Sequence, residues 1–166
     1  MPNQSFSLTL ASEKVTKQFA SRLGHLLRSK DIILLSGKIG AGKTFLARAL
    51  IQSLLTEHED VPSPTFTIVQ TYKTTLGELW HCDLYRINNS EEIDELGLLD
   101  AFGSTICLVE WPDRLKALQP REALGLHLSY TRLSDTVRNL EVSWTHSRWN
   151  EARTLQQTER SHALSR

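Results

Sequence analysis

The sequence predicts an α/β fold with a mixed central sheet. Two short apolar runs, 31–37 and 105–111, are typical of strands buried on both faces of a sheet. Three segments have apolar residues at helical spacing, and these are 12–28, 43–55 and 88–102. Two polar turns separate pairs of strand-like segments, which indicates antiparallel hairpins. The hairpin strands are predicted over 66–72, 78–85, 123–130 and 137–144. This order of strands and helices favours a layered α/β domain.

Local signals support the predicted helices. Ser12 is a suitable N-cap for the first helix, and Leu46 and Leu50 belong to one apolar stripe of the second. Asn89, with Glu92 three residues later, has the spacing of a capping box at the start of the third. The helices are therefore expected to begin close to these residues.

The amino-acid composition limits the classes of protein to which this chain can belong. The chain has 166 residues, 40% of them hydrophobic, which suits one globular domain. Lysine plus arginine equals aspartate plus glutamate, at 19 each, so charge does not indicate a nucleic-acid or membrane binder. No apolar run is long enough to span a bilayer, and the first ten residues lack the pattern of a secretory signal. We therefore expect a cytoplasmic protein whose Cys82 and Cys107 are reduced, buried thiols.

The chain changes in composition near Thr145. Residues 1–144 are predicted to form a single domain. Residues 145–166 are rich in serine, arginine, glutamine and glutamate, and the only large apolar residue that stands out is Trp149. That composition predicts a polar, mobile C-terminal tail.

The stretch GKIGAGKT, from Gly37 to Thr44, matches the pattern G-x-x-x-x-G-K-[ST] in full. A predicted buried strand enters it and a predicted amphipathic helix leaves it. Glycines let the backbone approach a ligand closely, and successive amides with the following helix N-terminus attract an anion. Lys43 is expected to reach the β- and γ-phosphates of a nucleoside triphosphate. The Thr44 hydroxyl is expected to ligate Mg²⁺, which prefers oxygen ligands.

Two acidic residues near the ends of predicted strands are candidates for the rest of this site. Open α/β sheets place their sites at the carboxyl ends of the strands. Glu110 ends one buried strand and is the candidate for the magnesium shell. Asp83 is expected to bind a magnesium-bound water or to position the attacking water.

Three polar residues leave alternatives open. His81 lies on the same strand face as Asp83, because alternate side chains point the same way. It either orients Asp83, contacts a phosphate, or is a buried, merely hydrogen-bonded histidine. The hydroxyls of Ser63 and Thr65 either respond to the γ-phosphate, as switch loops do, or cap a turn.

Five motifs together resemble the TsaE (YjeE) family of small bacterial P-loop ATPases. In chain order they are GKIGAGKT, SPTF, HCDLYR, EEIDELG and CLVEWP. The resemblance covers roughly residues 8–144, and DLYR followed by EWP makes it specific. It implies a P-loop NTPase fold, a three-layer α/β/α sandwich with a parallel core and antiparallel hairpins. It also implies ATP and Mg²⁺ as ligands and a role in forming threonylcarbamoyladenosine in the anticodon loop of tRNA.

The resemblance further implies roles for individual residues. Lys43, Asp83 and Glu110 would be catalytic, and Thr44 and Glu110 would hold the magnesium. Trp111 would lie close to the nucleotide, the adenine would lie near Ser12, and Arg138 would approach the nucleotide. The residues expected to contact the nucleotide are Ser12, Gly37, Lys38, Ile39, Gly40, Ala41, Gly42, Lys43, Thr44, Phe45, Trp111 and Arg138.

TsaE proteins act with two partner proteins, TsaB and TsaD, so the resemblance implies an ATPase that resets a TsaB–TsaD complex. Contact with tRNA would be through that complex rather than direct. Lys38 replaces a usual acidic residue and Cys82 a usual aromatic one, and neither change removes an expected ligand. Two alternatives are an ATP-dependent binding switch without essential hydrolysis and a small-molecule kinase. The kinase is less favoured because no arginine-rich lid is evident.

Overall fold

A seven-stranded sheet forms the centre of the protein in this computed structural model, which describes residues 3–132 and 134–156. The strands are β1 (Gln4–Leu10), β2 (Ile32–Ser36), β3 (Val69–Thr74), β4 (Gly77–Asp83), β5 (Ile106–Glu110), β6 (Leu124–Tyr130) and β7 (Arg138–Trp144). Their order across the sheet is β1-β7-β6-β2-β5-β4-β3. The central pairs, β2 with β5, β2 with β6 and β4 with β5, are parallel. The outer pairs are antiparallel, so both predicted hairpins and the mixed sheet are confirmed.

Helices cover both faces of the sheet. They are α1 (Glu13–Leu26), α2 (Lys43–Leu54), α3 (Ser90–Leu96) and α4 (Leu98–Ala101), with 3₁₀ turns over Pro112–Leu118 and Ser147–Ala152. One buried cluster lies between the sheet and α1 and α2, and a second lies between the sheet and α3 and α4. We call these two sides the α1/α2 face and the α3/α4 face. The predicted three-layer α/β/α architecture is therefore confirmed.

Capping explains where the helices begin and end. The Ser12 hydroxyl accepts a hydrogen bond from the Val15 amide, and the Asn89 side chain accepts one from the Glu92 amide. Gly97 has a φ of 75°, a left-handed conformation that ends α3. The prediction of one helix over 88–102 is wrong for this reason, because the segment divides into α3 and α4.

Two strand predictions also need correction, and one strand was not predicted. The strand expected from residue 66 begins only at Val69, because Ile68 has a φ of 68° and its amide turns back to the Pro64 carbonyl. Strand β4 ends at Asp83, whose carboxylate accepts the Tyr85 amide and turns the chain. Strand β1 was not predicted, although its residues alternate between buried and exposed as they pair with β7.

The segment after β7 does not form the mobile tail that composition predicts, at least as far as residue 156. Ser147–Ala152 forms a 3₁₀ helix whose Trp149 is 1% exposed. The Trp149 indole donates to the Glu122 carbonyl, and Arg148 pairs with the Asp31 carboxylate at 2.6 Å. Polar composition is misleading here because a buried tryptophan and ion pairs from Arg148 to Asp31 and from Glu151 to Arg28 hold the segment. Residues 157–166 lie outside the described part of the chain.

Among the residues that the structure describes, no helix is both long and apolar enough to cross a membrane.

Candidate functional site

A cleft of about 330 Å³ opens at the carboxyl ends of β2, β4 and β5. Open α/β sheets place their ligand sites at this edge. Glycine-loop residues and the strand-end carboxylates face the same cleft. It is lined by Ile39, Gly40, Gly42, Lys43, Thr44, Phe45, Thr65, Asp83, Tyr85, Glu110 and Trp111.

The loop between β2 and α2 follows a path that requires glycine. Gly37 has a φ of 140°, and a Cβ there would lie 2.4 Å from the Leu128 carbonyl oxygen of β6. A Cβ on Gly40 would lie 2.4 Å from the Tyr130 hydroxyl, which itself donates to the Ile39 carbonyl at 2.7 Å. The loop is therefore shaped by close contact with β6 as well as by its own turns.

The loop leads into an uncapped helix N-terminus. Gly42 precedes α2 in a left-handed conformation and provides no side-chain cap. The first turn of α2 contains no acidic residue that would compete for its amide groups. A twelve-residue helix with such a terminus presents partial positive charge and free donors to the cleft, which suits a phosphate group.

Lys43 is folded back over the loop. Its ammonium donates to the Gly37 carbonyl at 2.6 Å and to the Lys38 carbonyl at 2.9 Å. It also lies 4.2 Å from the centre of the Trp111 ring, within range of a cation–π interaction. The residue is only 5% exposed, so its charge is held close to the place where the loop would receive an anion.

The positive charge of Lys43 in the cleft interacts with the negative charges of nearby carboxylates. Asp83 and Glu110 are direct neighbours in the parallel pairing of β4 with β5, and they are 4% and 1% exposed. Burial lowers the pKa of Lys43 below its ordinary value, while the charges of Glu110, Asp83 and Asp113 oppose that change. Two adjacent buried carboxylates repel each other, so the cleft is suited to an additional cation.

Glu110 joins two elements through its carboxylate. One oxygen, Oε1, accepts a hydrogen bond from the Thr44 hydroxyl at 2.7 Å, which links β5 to the first turn of α2. The other oxygen, Oε2, lies 2.7 Å from Nε2 of His81 on β4. His81 therefore contacts Glu110, and it makes no hydrogen bond to Asp83.

Asp83 is held by different partners. Its Oδ2 accepts from the Thr65 hydroxyl at 3.1 Å, and its Oδ1 accepts from the Tyr85 amide at 2.9 Å. The Thr65 hydroxyl is also 2.7 Å from that of Ser63. Asp83 thus fixes the SPTF segment beside the cleft, and the two hydroxyls considered for that segment lie next to it.

Aromatic rings form one wall of the cleft. The Tyr85 and Trp111 rings have centroids 4.9 Å apart, and both line the cleft. Trp111 has a φ of 60°, a left-handed conformation that is uncommon for a tryptophan. Its amide donates to the Leu35 carbonyl of β2, which holds the residue between two strand ends.

The residues present fit a magnesium ion. The described residues contain no cluster of three or more histidine, cysteine or acidic side chains of the kind that forms an all-protein metal site. Thr44 and Glu110 instead bring a hydroxyl and a carboxylate within 2.7 Å of each other. Mg²⁺ is usually held by one or two such oxygen ligands together with substrate phosphates and water. This donor set therefore suits magnesium bound with a nucleotide.

Several residues expected to contact the nucleotide lie elsewhere. Ser12 does not line the cleft, and its hydroxyl is engaged as the cap of α1. Arg138 lies behind the loop, where it donates to the Ala41 carbonyl at 3.1 Å. The Lys38 side chain is exposed, and only its backbone contacts Lys43. Their roles toward a nucleotide stay predictions.

Sequence reasoning assigned no role to two tyrosines near the site. Tyr85 falls within the strand predicted over 78–85, but it lies beyond the end of β4, is 41% exposed and lines the cleft. Tyr130 holds the glycine loop through the Ile39 carbonyl. The position of Tyr85 two residues after Asp83 could have indicated a strand end, whereas the role of Tyr130 depends on how β6 packs against the loop.

Known proteins resemble this chain in sequence and in fold. The sequence profile of the family described as threonylcarbamoyl adenosine biosynthesis protein TsaE matches residues 10–140. A Rickettsia bellii protein named tRNA threonylcarbamoyladenosine biosynthesis protein TsaE is 42% identical over 119 residues, which cover 72% of this chain and 83% of the relative. A Haemophilus influenzae protein of the same name is 36% identical over 129 residues, covering 76% and 78%.

A solved structure supports the fold. The crystal structure of Bacillus subtilis YdiB superposes with a TM-score of 0.75 and covers 96% of this chain and 99% of its own. At 23% identity this similarity concerns the fold alone. The sequence profile and the sequence relatives, by contrast, identify the family, and this chain belongs to the TsaE family.

Proposed function

We propose that this protein is a Mg²⁺-dependent ATPase that serves tRNA threonylcarbamoyladenosine formation by acting on a TsaB–TsaD complex. Membership of the TsaE family supports the pathway, because relatives are named for this biosynthesis. The observation that carries the catalytic part is the convergence of Lys43, Thr44, Asp83 and Glu110 on one cleft at the carboxyl edge of the sheet. Family membership gives no support to the kinase alternative.

Each of these residues has a role that its contacts favour. The glycine loop and the N-terminus of α2 bind the phosphates through backbone amides. Lys43 leaves its two carbonyl partners to pair with the phosphates, because charge-assisted hydrogen bonds are stronger than those to neutral acceptors. Its charge then stabilises the negative charge that develops on the transferred phosphoryl group.

Thr44 and Glu110 would hold the magnesium ion. Magnesium, when bound, supplies positive charge that stabilises the phosphate oxygens during cleavage. Glu110 is suited to this role because it is fixed from two sides, by Thr44 and by His81. Asp83 carries a carboxylate at the neighbouring strand end, where it orients the attacking water. Trp111 and Tyr85 limit the access of bulk water from one side.

The test is phosphate release from Mg·ATP by the purified chain, alone and with a TsaB–TsaD pair from the same source. We expect slow release by the chain alone and faster release with the pair. Lys43→Ala serves as the inactive control. Release by the wild-type chain that the pair does not change would overturn the proposed partners, and no release under either condition would overturn the ATPase.

A binding switch without essential hydrolysis is a second candidate. The bond from Thr65 to Asp83 favours it, because this contact could change with the occupant of the cleft and move the SPTF segment. Asp83→Ala separates the two candidates. An ATPase cycle predicts loss of both phosphate release and multi-turnover tRNA modification, whereas a pure switch predicts that modification continues without release.

A further inference from the structure

We infer that His81 is a positioning residue that sets the magnesium affinity of the site by orienting the Glu110 carboxylate. This inference rests on the proposed function, because it concerns the metal that the proposed ATPase uses. It deepens that function by giving a role to a residue that lines no part of the cleft.

The contact itself is short and enclosed. His81 is 0% exposed, Glu110 is 1% exposed, and Nε2 of the histidine lies 2.7 Å from Oε2 of the carboxylate. A carboxylate can only accept a hydrogen bond, so the ring nitrogen that faces it carries the proton and donates. This bond stops the carboxylate from rotating about its terminal torsion. As a result, Oε1 is directed to the Thr44 hydroxyl, where the magnesium ion is expected.

The strand register explains how His81 reaches this carboxylate. On β4, His81 pairs with Leu108 of β5, and Asp83 pairs with Glu110. Because side chains alternate, all of these point to the α1/α2 face. Asp83 is directly opposite Glu110 but is engaged with Thr65, so the imidazole two residues earlier is the group that reaches along the strand to the carboxylate.

The cost of burying this histidine argues against a role in packing. Its other ring nitrogen, Nδ1, is buried and has no hydrogen-bond partner among the described residues. An unsatisfied buried polar atom destabilises a fold, and neighbours on the same face of β4 and β5, Leu79 and Leu108, are apolar. An apolar residue would suit this position better if packing alone mattered. The single bond from Nε2 to Glu110 is therefore what the histidine provides.

The metal affinity of a protein site commonly depends on residues that hold the metal ligands in place without contacting the metal. Groups that orient a ligand contribute about 10- to 100-fold to metal affinity or activity. Removal of the imidazole should therefore weaken magnesium binding and leave the phosphate contacts of the glycine loop intact. The predicted effect is on the magnesium concentration that gives half-maximal phosphate release, and ATP binding in the absence of magnesium should not change.

Amide variants provide a test that separates orientation from packing. The glutamine amide reaches about as far as Nε2 of histidine, whereas the asparagine amide reaches only as far as Nδ1. We expect His81→Gln to need at most about threefold more magnesium than wild type, and His81→Ala and His81→Asn to need about tenfold more. The dissociation constant for ATP in EDTA should agree within about twofold among wild type and the three His81 variants. Cys82→Ala is the control for a buried change on the opposite face of β4, and its magnesium requirement should equal that of wild type.

The experiment distinguishes failure of this inference from failure of the proposed function. A Glu110→Gln variant is measured in parallel. If Glu110→Gln needs more magnesium and His81→Ala does not, the inference is wrong and the proposed ATPase stands. Equal impairment of His81→Gln and His81→Asn would also overturn it, because the residue would then serve packing. If His81→Ala does not fold, the comparison of the two amide variants decides. A wild-type chain that releases no phosphate would instead overturn the proposed function.

Discussion

The two faces of β4 and β5 differ in chemistry, although the residues that point to each face alternate along the same two strands. On the α3/α4 face, Cys82, Cys107 and Val109 are fully buried in an apolar cluster. On the α1/α2 face, the same strands bury His81, Asp83 and Glu110. Burial of polar groups costs stability unless they find partners, and here the partners are one another, Thr44 and Thr65. The α1/α2 face also contains the apolar Leu79 and Leu108, so it is polar only around His81, Asp83 and Glu110. We call this group of three residues the polar face, which is arranged for binding, and we call the α3/α4 face the apolar face, which serves stability.

This contrast predicts that substitutions on one face will have different effects from substitutions on the other. Variants on the polar face should alter activity or magnesium dependence more than stability. Variants on the apolar face should do the opposite.

Lys43→Ala should have the largest effect. Loss of the ammonium removes the charge that stabilises the transferred phosphoryl group, so phosphate release should fall about 100-fold or more. Release is measured from Mg·ATP in the presence of TsaB and TsaD. Lys73→Ala, which removes an exposed lysine on the edge strand β3, is the matched control and should retain wild-type release. A Lys43→Ala variant with normal release would remove the glycine loop from the mechanism.

Leu98→Ala tests the apolar face. Leu98 is fully buried against the second cluster, and its truncation should lower the free energy of unfolding by about 2–5 kcal/mol. Unfolding in urea measures this change. Phosphate release per folded molecule and its magnesium dependence should stay at the wild-type level. A shifted magnesium requirement would mean that the two faces are coupled and do not have separate roles.

Glu110→Gln should raise the magnesium concentration for half-maximal release by about tenfold, since a neutral amide is a weaker ligand than a carboxylate. The measurement is a magnesium titration at fixed ATP. Glu78→Gln changes an exposed carboxylate at the start of β4 and serves as the control. An unchanged titration for Glu110→Gln would remove this residue from the metal site.

The two thiols should produce the smallest effect, and it appears only at high pH. Burial raises the pKa of Cys107 from 9.0 to about 11 and raises that of Cys82 further. Above pH 9 the unfolded chain therefore loses thiol protons that the folded chain keeps, so stability falls as pH rises. At pH 10 each thiol should account for roughly 1 kcal/mol of this loss.

Urea unfolding at pH 8 and pH 10 measures the thiol effect. The double variant Cys82→Ala/Cys107→Ala is the control, because other groups titrate in the same range, and it should lose less stability between the two pH values. Equal losses in both proteins would show that the thiols ionise as freely in the folded state as in the unfolded state.

Local signals allowed much of the fold to be predicted. The glycine loop, β2 and α2 are set by contiguous residues, so their spacing alone indicates a strand, a loop and a helix. The polar residues of β4 and β5 are also visible in sequence as interruptions of apolar runs. Strand β1 could also have been predicted, because Phe6, Leu8 and Leu10 alternate with polar residues.

The partners of the site residues could not be predicted, because they depend on distant contacts. Whether His81 meets Asp83 or Glu110 is decided by the register of β4 against β5 and by the turn that engages Asp83. Polar composition also gave no indication that Trp149 would anchor the segment after β7. Tertiary packing decides such features, and sequence spacing carries little information about them.

The most direct test of the central claim is calorimetric titration of ATP into the wild-type chain and into Lys43→Ala, with and without Mg²⁺. If the polar face is a Mg·ATP site, wild type binds ATP more tightly with magnesium, and Lys43→Ala binds it at least about tenfold more weakly. Equal affinity for ATP in both proteins, with no response to magnesium, would contradict the assignment of this cleft.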